Sequence, residues 1–156
     1  MIVTALLIVH GLLAVVLLGA VTHQALATAS RPAAAGKRSF FNRFASVNAP
    51  AYVNPIIFFF VLTFIGGGLL YPQYRIDVRP VLEDLQMRQA NGIFEIKEHF
   101  AAIGLGLLPA YWFYWQAPLA PEFTAVRRYL TWILAFLVWW NFLTGHVLNN
   151  IRGLLA

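Results

Sequence analysis

The chain has 156 residues, 60% of them hydrophobic and 11% charged, with a formal net charge of +5 and a mean hydropathy of +0.70. Soluble domains carry charge on about a quarter of their residues, so this composition excludes a soluble enzyme and points to an integral membrane protein with room for about four spans of roughly 20 residues. Cysteine is absent, which removes disulfides, thiolate metal sites, iron–sulfur ligation and c-type haem attachment. The basic residues cluster beside apolar runs, where membrane topology accounts for them, so no nucleic acid is expected as a partner.

The first apolar run, about 2–29, carries no charge. Ala27-Thr28-Ala29 looks like a cleavage site, but the run lacks a basic leader and is too long for a signal core, so it reads as span one. A basic stretch follows, Arg31 to Asn48, with Arg31, Lys37, Arg38 and Arg43 and no acid, and with Phe40, Phe41 and Phe44 interleaved. That pattern suits a short segment lying at the headgroups.

Span two is expected at about 52–71, a tyrosine at each end, with Gly66-Gly67-Gly68 marking close packing. The connection to Asn91 holds charges of both signs, and Val81, Leu82, Leu85 and Met87 suggest a short amphipathic surface helix. Span three is expected at about 93–115, stopped by Pro118 and Pro121, and span four at about 128–148, ended by Asn149, Asn150 and Arg152. No internal repeat is evident. The expected fold class is therefore all-α, a four-span transmembrane bundle in a bacterial inner (cytoplasmic) membrane. Loop one, with Arg127 and Arg128, marks the cytoplasmic side, which puts the N-terminus and C-terminus both on the outer side.

The chemistry lies in the histidines, because ionisable residues inside a membrane are expensive and functional by default. From the helix rise, His10 lies roughly 28 Å, His146 about 27 Å and His99 about 24 Å from the inner ends of their spans. The three share one outer layer, whereas His23 lies about 9 Å from the inner end. Haem b needs imidazoles on both sides of a flat macrocycle and space beside them. Ala14 follows His10, and Ala102 and Gly106 continue the His99 face.

The expected cofactor-binding and metal residues are His10, His99 and His146, with axial ligation by His10 and either His99 or His146. Glu95 lies four residues before His99 on the same face, as the candidate catalytic carboxylate that orients a ligand or receives a proton. A first-turn acid favoured by the helix dipole is its alternative reading. Lys97 and Glu98 are expected to face headgroups or water. A bare Zn, Cu or Fe site is also open to imidazoles, but no two of these ligands share a helix in a metal-binding spacing, and haem tolerates dispersed ligands. Tyr111-Trp112-Phe113-Tyr114-Trp115 reads as an interfacial belt, which with His23 and Gln24 offers an inner quinone pocket.

In helix count and histidine placement the chain resembles small four-helix membrane cytochromes b, including the haem-bearing anchors of quinone-linked respiratory enzymes. The thirteen-residue separation of His10 and His23 resembles the paired ligands of dihaem cytochromes b, although no second inner histidine accompanies it. The resemblance implies a haem b electron-transfer subunit of a larger membrane redox complex, exchanging electrons with a quinone pool or a partner cytochrome, with quinone as a second cofactor. If it is an enzyme component, it is an oxidoreductase subunit. Two alternatives stand beside it: a cofactor-free structural subunit of a respiratory or photosynthetic assembly, and a metal-handling membrane protein.

Overall fold

The computed structural model describes residues 2–29, 40 and 44–155, the last five by backbone alone. The basic residues expected to orient loop one, Arg31, Lys37, Arg38 and Arg43, lie outside the described residues.

The described residues are mostly helical, with no strand among them. Helix α1 spans Ile2–Ala29, α2 Val53–Gln73, α3 Arg79–Asp84, α4 Arg88–Tyr114 and α5 Thr124–Leu155. A single 3-10 turn, Ala49–Tyr52, leads into α2, and Pro121–Phe123 leads into α5. Three helical stretches, Ile2–Ala29, Ala49–Asp84 and Pro121–Asn150, are long and apolar enough to cross a membrane. Helix α4 falls short of the same hydropathy because Glu95, Lys97, Glu98 and His99 occupy its first half.

Boundaries differ from the sequence expectation where polar residues remain helical. Span two does not stop at Tyr71. It runs through Pro72 and a π-helical stretch, Tyr74–Val78, into α3. The surface helix expected after it is thus an extension of α2, and it buries only Leu82. Helix α5 likewise passes through Asn149 and Asn150, where the Asn150 amide donates to the His146 ring one turn back (3.3 Å).

Four long helices pack as neighbours, α1 against α2 and α5, and α4 against α5, with a thinner contact between α2 and α4. Their directions follow from pairs at two levels. Gln24 meets the start of α2 at Ala49, and His10 meets Gly66 near its end. Trp115 meets Thr131, and Lys97 meets Gly145. Neighbours are therefore antiparallel, and α1 begins where α5 ends.

The apolar core occupies the half of the bundle around Gln24. Leu17, Val21 and Ala25 of α1 pack with Val53, Ile56 and Phe60, Leu108, Tyr111 and Trp115, and Leu134, Ala135 and Val138. These are helical repeats of three and four, one stripe per helix. Outside, α1 presents Ile8, Leu12 and Val16 and α5 presents Ile133, Phe136 and Val147, all exposed. Apolar side chains on both faces are what a helix between protein and lipid requires.

In that half of the bundle, side-chain hydrogen bonds join the helices. Gln24, fully buried, donates from its amide to the Ala49 carbonyl (2.9 Å) and accepts from the Tyr111 hydroxyl. One side chain thus joins α1, the entry to α2 and α4. The Trp115 indole donates to Thr131 (3.2 Å), which bonds the Arg127 carbonyl in turn, and the Trp139 indole donates to Thr22 (2.9 Å).

Two stability predictions follow from this packing. Gln24→Ala leaves the Tyr111 hydroxyl and the Ala49 carbonyl unpartnered, at a cost of about 1–3 kcal/mol for each orphaned group, read as a lower circular-dichroism melting point in detergent. At Gly104 a β-carbon would sit 2.6 Å from the buried Phe60 ring, whereas at Gly106 it would meet nothing. Gly104→Val is expected to destabilise by about 1–3 kcal/mol, while Gly106→Ala keeps or raises the melting point.

Candidate functional site

Following each core stripe toward the His10 end changes its character. Two turns beyond Leu17 the α1 stripe reaches Ala14 and His10. Beyond Phe60, α2 presents Thr63, Gly66 and Gly67. Beyond Gly104, α4 presents Ala101 and Lys97, and beyond Val138, α5 presents Asn141, Thr144 and Gly145. All ten are buried or half-buried. Large apolar side chains fill one half of the bundle, and small or polar ones line the other. Polar interior positions at membrane depth are where function concentrates.

His10 is the one predicted ligand that turns inward. Its ring lies on the α2 backbone: a β-carbon at Gly66 would be 3.1 Å from Nδ1, and one at Gly67 3.5 Å from Cε1. Nδ1 is buried and faces the Thr63 backbone, near enough to interact with it but without the geometry of a proper hydrogen bond. The Thr63 hydroxyl is also buried without a partner. No hydrogen bond engages Nε2 among the described residues, and it is not sealed from the surface as Nδ1 is.

The other two expected ligands lie outside. His99 is exposed, and its Nδ1 donates to the Glu95 backbone carbonyl (2.7 Å). His146 is exposed and stacks on Phe142 with ring centroids 6.4 Å apart. Among the described residues no three His, Asp or Glu side chains gather as a metal site. The depth estimate places His99 close to the His10 level, but their side chains point in different directions.

Glu95 and His99 do meet, through the Glu95 carbonyl rather than its carboxylate. The carboxylate is 56% exposed and pairs with Arg79 (3.7 Å), which also bonds Glu83 (2.7 Å). With Asn91, which accepts from the Tyr74 hydroxyl (2.8 Å), these residues line an open polar cleft at the bundle end. The expected proton acceptor therefore belongs to a surface charge network.

Lys97, expected to face headgroups or water, is half-buried. Its stem lies against Gly145, with Cε 3.4 Å from where a β-carbon would stand, and its ammonium is 5.3 Å from the Phe94 ring centroid. The signal was available: Lys97 is seven residues, two turns, before Gly104 on the core stripe.

At the opposite end, His23 donates from Nδ1 to the Phe44 carbonyl (3.0 Å), and its ring lies tilted by 31° against the Phe44 ring with centroids 3.7 Å apart. It ties α1 to Phe44. The amide and carbonyl of Gln24 are both engaged, which leaves neither group turned to an inner quinone.

The glycine cradle can be tested directly. Gly66→Ala must move the His10 ring by a few tenths of an ångström, whereas a β-carbon at Gly68 meets nothing within 4 Å. Side-chain ¹⁵N resonances of His10 are expected to shift in Gly66→Ala and to stay in place in Gly68→Ala.

The chain matches no family model, no curated protein and no solved structure.

Proposed function

We propose that the chain is a haem b electron-transfer subunit of a larger redox complex in a bacterial inner membrane, with His10 as the iron ligand it supplies. The observation that carries this reading is His10 itself: an imidazole inside the bundle, with Nδ1 turned to a backbone and Nε2 unbonded. Haem-ligating histidines are oriented in this way, one ring nitrogen toward a carbonyl and the other toward the metal. Haem would supply one-electron exchange at that position.

With His99 and His146 outside, a second ligand to the iron would come from a partner subunit or a small molecule. In this reading α4 crosses the membrane as the fourth span, its Glu95 end at the outer surface. The Gln24 end faces the cytoplasm, in keeping with Arg127 and Arg128 at the start of α5.

The reduced-minus-oxidised visible spectrum of the detergent-purified chain, supplied with hemin, decides the matter. Sharp α and β bands are expected in the wild type, in His99→Ala and in His146→Ala, and their loss in His10→Ala. No bands in the wild type, or bands that survive His10→Ala, would sink the proposal.

One observation favours a second reading, a cofactor-free structural subunit of a respiratory or photosynthetic assembly. Helix α5 exposes Trp132, Phe136, Trp139 and Trp140 along one side, a large aromatic surface for a neighbouring membrane protein. A spectrum without bands, together with recovery of the chain only inside a larger complex, would support that role.

A further inference from the structure

The haem reading gives Lys97 no task. Its ammonium stands over Phe94, which offers a weak π-face contact, and among the described residues it forms no ion pair. Glu98 acts on it electrostatically, but the adjacent side chain is rotated about 100° around the helix. The site is not at the tip of the bundle. The Gln24–Tyr111 pair joins residues 87 positions apart, and the same offset along the two parallel helices sets Lys97 level with His10. From that level α1 runs on for about 12 Å. The Lys97 charge is close enough to act on the His10 imidazole, so a cation and a hydrogen-bonding ring share one layer. A charge held inside a bundle at such a depth calls for a counter-charge.

Glycines admit both groups: the His10 ring lies against Gly66 and Gly67, and the Lys97 stem lies against Gly145. His10 Nδ1 and the Thr63 hydroxyl are buried in that half of the bundle without hydrogen-bond partners. We propose that Lys97 and His10 mark an anion site inside the bundle, and that it takes the carboxylate of a membrane-partitioning acid. A carboxylate suits the site better than a phosphodiester, because a carboxylic acid can cross hydrocarbon in its neutral form, which a permanently charged phosphodiester cannot do. Two sources carry this chemistry, a haem propionate and a free fatty acid. The first rests on the function proposed above and the second does not.

Two probes separate the sources, both applied to the full chain. Carboxyl-¹³C palmitate added to the protein in lipid nanodiscs is expected to give a carboxyl resonance distinct from the bilayer pool, present in wild type and Lys97→Arg and lost in Lys97→Gln. Hemin is expected to bind about tenfold more tightly than hemin dimethyl ester, whose propionates are blocked, with the preference lost in Lys97→Gln; a charge-assisted hydrogen bond supplies a factor of that order. Either Lys97-dependent signal supports the site and names its ligand. Absence of both, or persistence of both in Lys97→Gln, overturns it. If Lys97→Gln fails to fold, Gly145→Val crowds the Lys97 stem without removing its charge and must weaken the same signals, and unchanged signals overturn the site. A palmitate signal that needs Lys97, in a protein whose hemin spectrum ignores His10, leaves the carboxylate site standing and removes the haem function.

Discussion

Inside a bilayer a side-chain amide has no water to return to, so a buried glutamine must find all of its partners within the protein. Gln24 finds them on two other elements, the Ala49 carbonyl at the entry to α2 and the Tyr111 hydroxyl on α4. Lipid contributes no hydrophobic drive between helices, and packing and such bonds hold the bundle instead. A slip of one residue in either partner would orphan two polar groups at once. Trp115 to Thr131 and Trp139 to Thr22 extend the same constraint to α5. The register of all four long helices is thereby fixed at one end.

What the register sets at the other end is a consequence of helix rise alone. With Gln24 opposite Tyr111, the parallel run of α1 and α4 carries His10 to the level of Lys97, while the antiparallel α2 and α5 bring Gly66 and Gly145 to the same place. The Gln24 end is closed by interlocking apolar residues and satisfied hydrogen bonds. The His10 end holds two buried polar atoms without partners, His10 Nδ1 and the Thr63 hydroxyl. One half supplies rigidity, and the other departs from the rule that buried polar groups are paired. Such a departure inside a well-tied bundle is the usual mark of a site rather than of poor packing.

The sequence conveyed depth well and rotation badly. Hydropathy and charge placed the long helices, and the 1.5 Å rise set His10 and His99 near one level because it needs only approximate helix ends. Rotation needs the core stripe. His99 lies two residues from Lys97, about 200° around the helix, so only one of the two can face inward. Residue type alone favours histidine for the interior and lysine for the surface. Gly104 and Leu108, both buried, decide it the other way. Glu95 shares the His99 face, as its spacing requires, but the ring nitrogen bonds its backbone carbonyl rather than its carboxylate. Gln24 was legible only as a polar interruption, since nothing in the sequence tells which hydroxyl, 87 residues away, will meet it.

The arrangement at the His10 end runs against what stability alone would select. Helix-interior glycines cost roughly 0.5–1 kcal/mol each relative to alanine, and Gly66, Gly67 and Gly145 spend that where His10 and Lys97 stand. A β-carbon at Gly66 would press on the His10 ring and one at Gly145 would touch the Lys97 stem, so the glycines are what lets two polar side chains from different helices lie against neighbouring backbones. Polar groups admitted in this way, within a frame whose register is locked from the far end, are the physical requirement for holding a polar ligand inside a membrane. That requirement is common to the haem and carboxylate proposals.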